Sequence, residues 1–119
     1  MTIRRITPDV RTRDSGKSRA FYATLGLAEV MDLGWAVIMA SPSNPTAQVV
    51  LITEDASAPV VPDMSIELPD GAAVDSAYES MRAAGAEIVH PLQDEPWGVR
   101  RFFVRDPDGK VVNVVTHHK

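Results

Sequence analysis

The sequence predicts an α+β protein in which two βαβββ modules form a curved mixed sheet around a central cavity, with the helices on the outer face. Three observations predict this fold class. One order of helix and strand signals occurs twice in the 119 residues, three strand-like runs follow each helix, and a proline-containing segment separates the copies. A single module leaves one sheet face uncovered, so two modules can enclose a cavity lined by strand residues.

The first module comprises about residues 1–54. Asp14 is a suitable N-cap for its helix, and Gly26 is a suitable residue to end it. Phe21 and Leu25 are four positions apart, which predicts that they form the buried stripe of this helix. The strand-like runs of the module are 3–12, 27–32, 35–40 and 47–53.

The second module, about residues 63–119, repeats this order after a linker at 55–62. Asp70 is the expected N-cap of its helix and Gly85 the expected end. Two prolines and small residues suit the linker to an extended conformation. The strand-like runs are 64–68, 87–92, 99–105 and 111–116. The length of the chain favours one domain built from both modules.

Composition excludes several classes of function. Hydrophobic residues make up 45% of the chain and charged residues 24%, with a net charge of −4, as in ordinary globular proteins. The cations form no basic stripe, so we expect no nucleic-acid partner. The absence of cysteine excludes disulfides and zinc–thiolate sites. No apolar run is long enough to span a membrane and the first residues lack a signal-peptide core, so we expect a cytoplasmic protein without a membrane partner.

The strongest local signals lie in the last third of the chain. Proline and glycine flank Trp97 in the segment 96–98, and the segment 106–109 reads Asp-Pro-Asp-Gly, a strong signal for a tight turn. A flat ring beside a glycine at the start of a strand is typical of a ligand-facing wall, and also of a hydrophobic plug at a sheet corner. The two turns predict that strand 99–105 pairs with strand 111–116.

These motifs, in this order, resemble the vicinal oxygen chelate superfamily, the group of the glyoxalases, bleomycin resistance proteins and extradiol dioxygenases. The resemblance covers essentially the whole chain. The motifs that carry it are Asp14-x-x-Lys17-Ser18-x-x-Phe21-Tyr22, the helix end before Glu87-Ile88, and Pro96-Trp97-Gly98-x-Arg100 leading into Asp106-Pro107-Asp108-Gly109. Because the superfamily contains both enzymes and binding proteins, the fold does not choose between these functions.

The resemblance also implies four inward positions that hold a divalent metal ion in metal-dependent members, mostly through His, Gln and Glu. These positions are occupied here by Thr7, by Gln48 or Val50, by Asp63 and by Asn113. No histidine falls on any of them, and three good protein ligands are the usual minimum for a catalytic zinc site. We therefore expect no cofactor. The alternative is a divalent metal held by Asp63, Asn113 and His117.

The pairing of the last two strands decides which side chains face the cavity. If Asp-Pro-Asp-Gly is a four-residue loop, Phe102 lies opposite Asn113, which the resemblance places in the cavity. Arg100 then shares that face. A one-residue bulge would place Arg101 and Phe103 there instead.

Six residues are candidates for the ligand-binding wall: Trp97, Trp35, Asp63, Arg100, Phe102 and Asn113. Tryptophan rings offer a stacking surface for a planar or cationic group, and charged side chains bind ligand groups of opposite charge. Each candidate also has a structural interpretation, such as a pairing of Arg100 with Asp94 or Glu95. We assign no catalytic residue, and His90 is interpreted as a surface-loop residue.

The first hypothesis for function is a non-catalytic protein that binds a small molecule, a drug or metabolite, as bleomycin resistance proteins do. The second is a metal-dependent glyoxalase-like lyase or isomerase, or a dioxygenase. The third is a dimerising partner that has lost both functions. A homodimer is expected in each case, because two short modules leave sheet edges and faces to be covered.

Overall fold

The computed structural model describes residues 2–117. The described part divides into two compact units, residues 7–61 and residues 62–117 together with 2–6. The helices and strands, in chain order, are β1 (Arg5–Arg11), α1 (Ser15–Thr24), β2 (Ala28–Asp32), β3 (Ala36–Ser41), β4 (Asn44–Ile52), β5 (Met64–Glu67), α2 (Gly71–Ala83), β6 (Ile88–Glu95), β7 (Val99–Arg105) and β8 (Val111–His117). The α+β class and the two βαβββ modules are confirmed. No helix within residues 2–117 is long and apolar enough to cross a membrane.

The sheet of the first unit has the strand order β2-β3-β4-β1. β1 and β4 are parallel, whereas β3 is antiparallel to both β2 and β4. Val37, Met39 and Leu51 form the buried core of this unit, and Tyr22 of α1 packs against them. The helix therefore covers one face of the sheet.

The predicted apolar stripe of α1 is wrong. Phe21 is 62% exposed and Leu25 is 70% exposed, and α1 has no buried residue. The N-cap prediction is confirmed, since the Asp14 carboxylate accepts a hydrogen bond from the Lys17 N–H at 3.0 Å. The ring of Phe21 contacts that of Tyr22 edge-on, with centroids 5.1 Å apart. Tyr22, one position later, is the residue that reaches the core.

The second unit has the strand order β5-β8-β7-β6. β5 and β8 are parallel, and the pairs β7–β8 and β6–β7 are antiparallel. The core between this sheet and α2 consists of Leu68, Val74, Ala77, Phe102, Val104 and Val114. The Asp70 carboxylate caps α2 by accepting a hydrogen bond from the Ala73 N–H at 2.8 Å. This helix is more deeply buried than its counterpart in the first unit.

The predicted pairing of β7 with β8 is wrong by one residue. Phe103, not Phe102, lies opposite Asn113, because the loop contains five residues rather than four. The Asp106 carboxylate holds this longer loop by accepting hydrogen bonds from the Asp108 and Lys110 N–H groups, both at 2.9 Å. Since neighbours along a strand point to opposite faces, the shift exchanges the two phenylalanines.

Candidate functional site

The face of the second sheet opposite α2, which we call the helix-free face, carries the candidate site. Register places Ser65 and Phe103 opposite Asn113, and His90 opposite Phe103. Arg101 lies two residues before Phe103 and therefore shares its face. Because α2 covers the other side, these side chains are not part of the core described above.

Asn113 is the central polar residue of the helix-free face. Its Nδ2 donates a hydrogen bond to Ser65 Oγ at 3.0 Å. Asn113 is 9% exposed, and its Oδ1 is buried without a hydrogen-bond partner in the described part of the chain. A buried acceptor without a partner costs about 1–3 kcal/mol, so it needs a physical explanation. One end of this amide is therefore a buried acceptor whose hydrogen-bonding capacity is unused within the described residues.

The helix-free face also carries a charged cluster, formed by His90, Glu95 and Arg101. Glu95 Oε1 accepts hydrogen bonds from Gln93 Nε2 at 2.5 Å and from His90 Nε2, which is 3.1 Å away. Glu95 Oε2 lies 3.5 Å from Arg101 Nη2. His90, Glu95 and Arg101 are each 4% exposed. His90 is thus a buried residue of β6, which corrects its interpretation as a surface-loop residue.

These contacts set the charge state of Glu95. Burial alone raises the pKa of this carboxyl, because it disfavours the charged form. The hydrogen bonds from Gln93 and His90 and the positive charge of Arg101 act in the other direction and prevail, so the pKa of Glu95 lies below its ordinary value. At neutral pH the cluster therefore contains a carboxylate paired with a guanidinium.

Aromatic rings enclose the guanidinium of Arg101. Its Cζ lies 4.8 Å from the ring centroids of both Trp97 and Phe103. The His90 ring packs against Phe103 with centroids 5.0 Å apart. Trp97 is half-buried, so part of its surface reaches solvent. At these distances the positive charge of Arg101 is attracted to both ring faces.

The β6–β7 turn places Trp97 at this cluster. Pro96 supplies the preset φ of a turn, and the Gly98 N–H donates a hydrogen bond to the Glu95 carbonyl at 3.1 Å. Gly98 has φ of 95°, a conformation that favours glycine. The Pro-Trp-Gly motif therefore orients the tryptophan that the sequence singled out.

Phe102 and Arg100 lie on the opposite face, which corrects their predicted place in the ligand-binding wall. Phe102 is 0% exposed and packs edge-on against Tyr78 of α2, with ring centroids 5.1 Å apart. Arg100 Nε donates to Asp75 at 2.8 Å, and its Nη1 lies 3.3 Å from Asp94. The hydrogen bond from Arg100 to Asp75 raises the pKa of the guanidinium above its ordinary value.

Asp63 and His117 make contacts at the two ends of β5. Asp63 Oδ2 accepts a hydrogen bond from the Val111 N–H at 2.8 Å, so this carboxylate holds the start of β5 against β8. His117 Nδ1 lies 3.4 Å from Glu67 Oε2, and Arg5 Nε lies 2.8 Å from Glu67 Oε1. The two candidate ligands therefore have partners at opposite ends of β5.

The donors present do not fit a divalent metal ion. Within residues 2–117, no group of three or more His, Asp or Glu side chains could hold one. Asn113 and His117 are four residues apart on β8, about 13 Å along a strand, whereas zinc ligands lie about 2 Å from the ion. Gln48, in the first unit, donates its Nε2 to the Pro45 carbonyl at 2.9 Å. The remaining position, Thr7, is buried and supplies only a hydroxyl.

Trp35, the other tryptophan candidate, belongs to the first unit. Its backbone carbonyl accepts hydrogen bonds from the N–H and the hydroxyl of Thr53, at 2.9 and 3.2 Å. The residue is half-buried just before β3. These bonds hold the start of β3 beside the end of β4.

Comparison with known proteins supports the resemblance stated above. The profile of the glyoxalase/bleomycin resistance protein/dioxygenase superfamily matches residues 2–114. The chain belongs to this superfamily. No curated protein sequence matches it significantly.

Solved structures share the fold of this superfamily member at low sequence identity. A Legionella pneumophila protein described as an NAD-dependent benzaldehyde dehydrogenase has a TM-score of 0.77 and 16% identity, over 94% of this chain and 98% of the other. A superfamily member from Vibrio splendidus 12B01 has a TM-score of 0.69 and 18% identity, over 97% and 99%. Methylmalonyl-CoA epimerase from Mycobacterium tuberculosis has a TM-score of 0.65 and 17% identity, over 98% and 88%. At these identities the similarity establishes the fold and not an activity.

Proposed function

We propose that this superfamily member binds a small molecule, a drug or metabolite, without transforming it, and that the helix-free face holds the ligand. The observation that carries the proposal is the buried Asn113 amide, whose Oδ1 has no hydrogen-bond partner in residues 2–117. Superfamily membership is consistent with it. The cytoplasmic setting expected from the sequence is part of the same proposal.

The surroundings of Asn113 define the kind of ligand. Phe103 lies beside it on the neighbouring strand, and Trp97 and Arg101 continue the wall from Phe103. Because Ser65 Oγ can donate or accept a hydrogen bond, the Asn113 amide can flip by about 180° and offer either its oxygen or its nitrogen to a ligand. A flat molecule with an amide, hydroxyl or amine group fits this combination.

No step of acid–base chemistry follows from the cluster. The Glu95 carboxylate already accepts hydrogen bonds from Gln93 and His90 and pairs with Arg101. A group whose pKa is lowered and whose acceptors are occupied is a weak proton acceptor at neutral pH. The same contacts instead give rigid support to the aromatic wall.

A ligand screen tests this proposal. Thermal-shift screening of planar drugs and metabolites should yield a ligand, and calorimetry should then show about tenfold weaker binding to Asn113→Leu and to Trp97→Ala. Arg100→Gln is the matched control, because it alters β7, the strand beside Asn113, on the face toward α2. Equal binding to Asn113→Leu and the wild type would contradict the site, and turnover of the ligand would contradict a purely binding role.

The metal-dependent alternative has its own test. Elemental analysis of untagged protein should find no stoichiometric divalent metal, because residues 2–117 contain no group of three or more His, Asp or Glu side chains that could hold one. Asp63→Ala should lower stability by about 1 kcal/mol through the lost bond to Val111, with no change in metal content. A metal that is bound by the wild type and lost in Asp63→Ala would establish the alternative.

We also propose that the chain forms a homodimer through the first unit. All five residues of β2 are exposed, and β2 is the last strand at its end of the sheet. Three apolar side chains of this unit are exposed: Val30 on β2 at 58%, Phe21 on α1 at 62%, and Leu25, the C-cap of α1, at 70%. An uncovered sheet edge beside apolar side chains is typical of an association surface.

Light scattering after size exclusion tests this association. The wild type should have the mass of two chains, and the double variant Leu25→Glu/Val30→Glu should have the mass of one. Met81→Glu is the control, because Met81 is an exposed apolar residue of α2 at 40%. A monomeric wild type, or a double variant that remains dimeric, would refute the proposal.

A further inference from the structure

The first unit has a cleft of its own, which shares no residue with the helix-free face. It has a volume of about 570 Å³ and is lined by Arg11, Thr12, Arg13, Thr53 and Glu54. Small-molecule sites commonly have volumes of about 300–1,000 Å³, so the cleft is large enough for a ligand.

Register explains how these five residues meet. Arg11 at the end of β1 lies opposite Ile52 at the end of the parallel strand β4. The Thr12 N–H continues the pairing by donating to the Ile52 carbonyl at 2.9 Å. β1 and β4 both end here and the segments that follow them leave the sheet. The cleft therefore lies where the carboxyl ends of two parallel strands diverge.

The two arginines differ from all others in the chain. Neither Arg11 nor Arg13 has a carboxylate within 4.0 Å in residues 2–117, and both are exposed. Every other arginine has such a partner, namely Arg4, Arg5, Arg19, Arg82, Arg100, Arg101 and Arg105. The chain thus pairs its guanidinium groups throughout, except at this cleft.

The other lining groups leave the cleft positive. The Thr12 hydroxyl bonds to Ser18 Oγ at 2.6 Å, and the Thr53 hydroxyl donates to the Trp35 carbonyl at 3.2 Å, so both serve the fold. Glu54 contributes one negative charge and has no ion pair with either arginine. Two guanidiniums against one carboxylate give a net positive charge, and both arginines line the cleft.

We propose that this cleft binds an oxyanion, the carboxylate or phosphate group of a small molecule, through Arg11 and Arg13. The planar fork of a guanidinium matches both groups with two parallel hydrogen bonds, and two adjacent forks provide for up to four. The oxyanion supplies the negative partner that the cleft lacks. This site is independent of the ligand proposed for the helix-free face.

Titration with small anions tests the site directly. Amide spectra of ¹⁵N-labelled protein are recorded against inorganic phosphate and, separately, against acetate, with sodium chloride holding the ionic strength constant. Saturable shifts at the Thr12, Thr53 and Glu54 amides are expected. The anion that binds more tightly identifies the group, phosphate or carboxylate, that the cleft prefers.

Charge variants then assign the binding to the two arginines. Arg11→Gln/Arg13→Gln should weaken binding by about tenfold or more, and Glu54→Gln should strengthen it, because a repulsive charge is removed. Arg82→Gln on α2 is the matched control and should leave binding unchanged. All four side chains are exposed, so these variants keep the wild-type spectrum elsewhere. Shifts that do not saturate, or affinity retained in Arg11→Gln/Arg13→Gln, would overturn the proposal.

Discussion

Replacing Asn113 by leucine tests whether this residue serves ligand binding or the stability of the fold. Leucine has the same branching at Cγ as asparagine and removes both polar atoms of the amide. The loss of the bond to Ser65 costs about 1 kcal/mol, whereas removal of an unpartnered buried acceptor returns about 1–3 kcal/mol. The second effect is the larger, so we expect Asn113→Leu to be more stable than the wild type by about 1 kcal/mol.

Urea unfolding measures this change. The midpoint should rise with an unchanged slope, and the melting temperature should rise by about 4 °C for a chain of this size. A loss of more than about 2 kcal/mol in Asn113→Leu would show that both ends of the amide serve the fold, and the reasoning for a ligand would fail.

Two further predictions concern the two faces of the second sheet. Glu95→Ala leaves the buried guanidinium of Arg101 without its partner, and urea unfolding at pH 7 should show a loss of about 3–5 kcal/mol. Because the pKa of Glu95 lies below its ordinary 4.5, its stabilisation is present above that pH and is lost as the pH falls through the lower folded value. Glu95→Gln should therefore lack this part of the acid-induced fall in unfolding free energy, and an identical fall in both proteins would contradict the assigned contacts. Phe102→Ala should cost about 3–5 kcal/mol through the cavity left beneath α2, yet keep the wild-type affinity for a ligand of the helix-free face; a selective loss of binding would restore Phe102 to the site.

Local signals in the sequence predicted the modules well. An aspartate before each helix was expected to cap it, and the carboxylates of Asp14 and Asp70 accept the expected backbone hydrogen bonds. Gly26 and Gly85 end the helices with φ of 108° and 78°, as the helix-end signal requires. These features depend on a few adjacent residues, which is why they can be read from the chain itself.

The predicted faces of the β7 side chains were wrong because the register between β7 and β8 differs by one residue from the predicted one. The sequence motif Asp-Pro-Asp-Gly indicates a turn but does not show that the Asp106 carboxylate also captures the Lys110 N–H. The loop is one residue longer than predicted, and Phe103, instead of Phe102, lies beside Asn113. Because side chains alternate between the two faces of a strand, a register error of one residue assigns every side chain of that strand to the wrong face.

The charged cluster was missed for a different reason. His90 and Glu95 are five positions apart on β6, and their pairing depends on irregularities in the β6–β7 register on both sides of His90. Alternation in a strand would place positions five apart on opposite faces, so periodicity argues against their contact. The signal that was present is Arg101, Trp97 and Phe103 close together in sequence, which indicates a cation–aromatic cluster without its carboxylate.

The two faces of the second sheet differ in a way that stability alone does not require. The face toward α2 buries aliphatic and aromatic side chains, including Phe102 and Val104, which is sufficient to hold a helix on a sheet. The helix-free face buries Glu95, Arg101 and Asn113, and a buried ion pair contributes little that apolar residues of the same volume would not. Among these polar groups, Asn113 Oδ1 is a buried acceptor without a hydrogen-bond partner in residues 2–117. The proposed ligand would supply this partner, and Asn113→Leu tests that proposal.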